Sequence, residues 1–64
     1  MSILWDDFDT IYGLCYQYLD DKQMYAIDVH TDIAGNTVEA INECIYAMFG
    51  YRSFKQFYYS EFCR

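Results

Sequence analysis

Between Tyr12 and Tyr18 the chain alternates Tyr12, Leu14, Tyr16, Tyr18 with Gly13, Cys15, Gln17. After the polar stretch Asp20-Asp21-Lys22-Gln23, it alternates Tyr25, Ile27, Val29, Thr31 with Ala26, Asp28, His30. Two period-two runs flanking a polar turn predict a β-hairpin. Closing the turn at residues 20–23 sets Tyr18 opposite Tyr25, Tyr16 opposite Ile27, Leu14 opposite Val29 and Tyr12 opposite Thr31. One face is then almost wholly apolar. The opposite face pairs Gln17 with Ala26, Cys15 with Asp28, Gly13 with His30 and Ile11 with Asp32. A competing helical period also runs through this region, since Phe8, Ile11, Tyr12, Cys15 and Leu19 fall at helical spacing. The agreement of two alternations in one register favours the hairpin.

The following pattern is helical. Asn36 with Glu39 three residues on resembles a capping box, Val38, Ile41, Ile45, Met48 and Phe49 form an apolar stripe, and Gly50 supplies the stop. Beyond Gly50, Ser53 followed by Gln56 starts a second helix carrying Phe54, Phe57, Tyr58, Glu61 and Phe62. A third strand through Gln56 to Glu61 is the weaker alternative. Residues 1–9 read as a short turn or helical piece anchored by Trp5 and Phe8. The expected architecture is therefore α+β: a single two-layer domain, 1–64, with an antiparallel hairpin packed on one helix and an aromatic C-terminal segment.

Size makes this pattern more demanding. A chain of 64 residues buries only roughly 60% of the surface its unfolded form exposes. Eight Tyr, five Phe and one Trp supply a dense core, but too much aromatic area for so small a body to bury completely. Tyrosines left outside favour a binding surface. Three widely spaced cysteines, Cys15, Cys44 and Cys63, fit neither a disulfide framework nor a C-x-x-C zinc site. The expected setting is reducing and cytoplasmic, with no signal peptide and no membrane span.

Charge then narrows the function. The net charge is −6, and all seven aspartates, Asp6, Asp7, Asp9, Asp20, Asp21, Asp28 and Asp32, stand in the first half, opposed there only by Lys22. Four Lys and Arg against ten acids exclude a phosphate-tracking nucleic-acid surface. No catalytic constellation is evident. A Gly-rich phosphate loop and an HExxH motif are both missing, and a Cys15 thiolate beside His30 would lack the electropositive setting it needs. Asp28, His30 and Asp32 alternate along the expected strand, but they would splay too widely to close on one metal ion. The expectation is a non-enzymatic protein with no cofactor.

In size, acidity, aromatic content and compartment the chain resembles the small inhibitors that bacteriophages encode against host machinery. These include anti-CRISPR proteins, uracil-DNA glycosylase inhibitors and antirestriction proteins. The resemblance is compositional and rests on no motif. It implies an inhibitor that mimics nucleic acid and occupies a basic groove of a partner protein in the host cytoplasm. The seven aspartates would meet lysines and arginines there, and exposed tyrosines would supply affinity. A generic interaction module, or a homodimer held by aromatics, accounts for the same composition.

Overall fold

A computed structural model describes residues 2–63. Four helices follow one another: α1 (Phe8–Tyr18), α2 (Asp21–Ala34), α3 (Val38–Phe49) and α4 (Phe54–Glu61). Among the described residues there is no strand, so the hairpin, and with it the α+β architecture, gives way to an all-helical domain.

The polar stretch taken for a hairpin turn is a helix start. Asp20 accepts a hydrogen bond from the backbone N–H of Gln23 at 2.8 Å, and the Gln23 side chain accepts one from the backbone N–H of Asp20 at 3.0 Å. This reciprocal capping box satisfies two otherwise orphaned backbone donors and commits the following residues to α2. Asp7 caps α1 without the reciprocal bond, accepting from the backbone N–H of Thr10 at 3.1 Å and from its hydroxyl at 2.6 Å. The apolar alternation misled because 55% of the chain is hydrophobic. At that density a period of two and a period of 3.6 both find matching residues. The caps, which depend on polar side chains at one spacing, decide between them.

Burial follows the helical period. In α1 the buried positions are Ile11 and Cys15, which the hairpin register assigned to the polar face. In α2 they are Met24, Ile27 and Thr31, whereas Tyr25 and Val29, expected in the core, point outward. Thr31 satisfies its hydroxyl by donating to the carbonyl of Asp28 at 3.2 Å.

Helix α3 runs where the apolar stripe indicates, with Thr37 rather than Asn36 as its N-cap; the Thr37 hydroxyl accepts from the backbone N–H of Ala40 at 3.2 Å. Gly50 ends it in the left-handed region at φ 81°, a conformation that costs any residue with a Cβ. Ser53 caps α4 by accepting from the backbone N–H of Gln56 at 3.2 Å, so the C-terminal segment is helix and not strand.

Helix α3 is the hub, with α1, α2 and α4 all packed against it. The core joins Ile11, Cys15 and Leu19 of the first helical region to Met24, Ile27, Ile41, Cys44, Ile45, Phe54 and Phe57. An aromatic cluster seals the α4 side. Trp5 lies 6.2 Å from Phe54 and 5.5 Å from Tyr58, tying the N-terminal segment to α4. The tilted rings of Tyr18 and Phe62 lie 4.3 Å apart, and those of Phe49 and Phe57 4.6 Å apart. Asn42 of α3 accepts a hydrogen bond from the backbone N–H of Phe54 at 3.0 Å, which sets where α4 begins. No helix is long and apolar enough to cross a membrane among the described residues.

Candidate partner-binding surface

The aspartates divide by their position on the helices. Asp7 and Asp20 are N-caps, and Asp9 and Asp21 stand in the first turns of α1 and α2. A helix N-terminus carries roughly half a positive charge, so these four carboxylates are stabilising where they are, each by about 0.3–1 kcal/mol when exposed. Their presence needs no partner. Asp6 is exposed in the turn before α1 and lines a shallow recess with Asp7, Trp5 and Lys55.

Asp28 and Asp32 lie in the C-terminal half of α2, and Asp32 is in its last turn. No basic residue occupies that turn, so nothing within it offsets the negative helix end. Together with Asp9, Tyr12 and Asn36 they line a shallow groove between α1 and α2. The Tyr12 hydroxyl donates a hydrogen bond to Asp28. That bond, reinforced by the neighbouring Tyr16 hydroxyl and by desolvation, pushes the Tyr12 phenol above its ordinary range. The phenol therefore stays protonated and holds the Asp28 carboxylate in place.

Helical geometry dissolves the grouping of Asp28, His30 and Asp32. At about 100° per residue, Asp28 and Asp32 share one side of α2 while His30 turns toward α3. There its Nε2 lies 2.9 Å from the Glu43 carboxylate, a link between α2 and α3 that carries an ion pair only when the imidazole is protonated. Among the described residues no set of three or more His, Cys, Asp or Glu side chains is grouped to hold a metal ion. Cys15 is fully buried, and desolvation, with a smaller contribution from Cys44, pushes its thiol up to about 12. A thiol that resists ionisation is a core side chain and not a nucleophile.

The residues missed by the period-two reading are apolar. Tyr25, Val29 and Ile33 are 71%, 40% and 82% exposed, and they succeed one another at i, i+4 and i+8 on the outward face of α2. They span an arc of about 80°, and Asp21, Asp28 and Asp32 lie within about 60° of Tyr25 on its other side. The result is an apolar ridge with an acidic border. The signal was available: Tyr25, Val29 and Ile33 repeat at four, offset from the core repeat Met24, Ile27, Thr31.

The seven aspartates thus do not form one array. The structure brings Asp9, Asp28 and Asp32 together in one groove, and sets Asp21 about 16 Å along the α2 axis from Asp32. Asp6 and Asp7 line a different recess. Comparison with protein-family models, with curated proteins and with solved structures returns no match, so the functional reading rests on this chain's own geometry.

Proposed function

We propose that this chain is a non-enzymatic inhibitor that binds another protein and occupies a basic, nucleic-acid-binding surface on it. One observation carries the reading: an exposed apolar ridge bordered by carboxylates, on a chain of net charge −6. Apolar anchors supply affinity once desolvated, and the acidic border steers association toward a positive surface. The cytoplasm, of a host cell if a phage encodes the chain, suits its three free cysteines.

The test begins with proteins retained on the immobilised chain at low salt and released at high salt. A purified partner should associate at least about tenfold more slowly as ionic strength rises from 50 to 300 mM, because screening weakens steering beyond a Debye length of about 10 Å. DNA or RNA should compete for the same site. Indifference to both salt and nucleic acid sinks the mimic. The uncovered ridge also favours a second reading, a self-associating module, which would persist at high salt with twice the monomer mass in light scattering.

A further inference from the structure

Resting on the reading above, we infer that the docking element is the outward face of α2, and that its occupant is a basic amphipathic helix of the partner. The occupant's apolar row lies along Tyr25, Val29 and Ile33, and its lysines or arginines face Asp28 and Asp32.

Shape argues for a helix. The ridge rises about 12 Å over eight residues along an i±4 row, the row that interdigitates when two helices pack ridge into groove. An added strand has nothing to extend, since no sheet exists among the described residues.

Charge complementarity sets the sign and the polarity. Asp28 and Asp32 stand one turn apart, about 6 Å along the axis, on the same edge of the ridge. The partial negative charge of the helix C-terminus adds to theirs, and α2 has no basic residue in its last turn. His30 points instead to Glu43. Lys22 stands at the opposite, N-terminal end of α2, where Asp20 and Asp21 outnumber it. The fitting helix therefore carries two cations one turn apart, set opposite Asp28 and Asp32. A second copy of this chain offers the same negative edge, so self-pairing across this face sets like charges together.

The test uses two synthetic amphipathic helical peptides of identical apolar pattern. One carries a lysine pair four residues apart along one edge, the other a glutamate pair at the same positions. In ¹⁵N-labelled protein, the lysine peptide should shift the amides of Tyr25, Val29, Asp32 and Ile33, and bind at least tenfold more tightly than the glutamate peptide. Asp32→Lys should weaken the lysine peptide at least fivefold and strengthen the glutamate peptide. Ile33→Asp should weaken both, with an amide spectrum that otherwise shows an intact fold.

Absence of binding at millimolar lysine peptide overturns the inference. So do shifts confined to α3 and α4, or equal responses of the two peptides to Asp32→Lys. A free chain of twice the monomer mass that Ile33→Asp reduces to monomer assigns the ridge to a second copy, and also overturns it. The underlying reading fails separately. A native partner that competes with nucleic acid yet binds Ile33→Asp unchanged refutes this face alone. Peptides that bind α2 while a native partner ignores nucleic acid refute the inhibitor reading alone.

Discussion

The N-terminal end of α2 and its outward C-terminal half each carry two aspartates, in opposite electrostatic settings. Asp20 and Asp21 meet the positive end of the helix dipole, and Asp20 closes a reciprocal capping box. Asp28 and Asp32 lie toward the negative end, beside an apolar row that no other element covers. Carboxylates of the first kind belong to folding, because removing them weakens the helix. Of the second kind, Asp28 accepts the Tyr12 hydroxyl and so links α2 to α1, while Asp32 opposes the helix end, which makes Asp32 the carboxylate that folding explains least. Acidity as a count does not separate these roles; position along the helix does.

The inner and outer rows of α2 provide the sharpest way to break this comparison. Ile27→Ala should lower unfolding free energy by about 2–5 kcal/mol in urea denaturation, because Ile27 is fully buried. Ile33→Ala should change it by no more than about 0.5 kcal/mol. Equal losses at both positions would mean that α2 is buried on two faces.

The core that α2 closes also sets an alkaline limit. Cys15 is raised from 9.0 to about 12 by burial, so the fold favours the protonated thiol. Its contribution is fully present below the unfolded value near pH 9 and is lost as pH rises toward 12, with a slope of at most about 1.4 kcal/mol per pH unit. Denaturation midpoints measured across pH 8 to 12 should fall over that window and flatten in Cys15→Ala. An unchanged slope in the variant would assign the loss to other groups.

At the N-terminal end, Asp20→Ala should cost about 1 kcal/mol by removing the cap. Gly13→Ala should stabilise the protein by about 0.5–1 kcal/mol, since Gly13 lies within α1 and an added Cβ meets nothing within 4 Å. Destabilisation there, read from thermal melts, would indicate that the segment is not helical. A small effect of the opposite sign belongs to the other end of α2. Asp32→Asn should raise stability by about 0.3–1 kcal/mol at low salt, opposite in sign to Asp20→Ala, and a loss would show Asp32 to be structural.

Local chemistry made part of this fold legible in the sequence. The apolar stripe from Val38 to Phe49, its Gly50 stop and the Ser53 start of α4 all depend on residues within a turn or two of one another. The Asp20–Gln23 spacing carried equally local information about α2, but the register of two alternating runs outweighed it. The sequence alone also determined the charge, its confinement to the first half and the aromatic surplus. It could not decide which apolar row of residues 21–34 goes inside, because Met24, Ile27 and Thr31 compete with Tyr25, Val29 and Ile33 at helical spacing. Packing against α3 made that choice, covering one row and leaving the other beside Asp28 and Asp32. Burial is a contest between faces for one partner surface, and its outcome is set only when the helices meet.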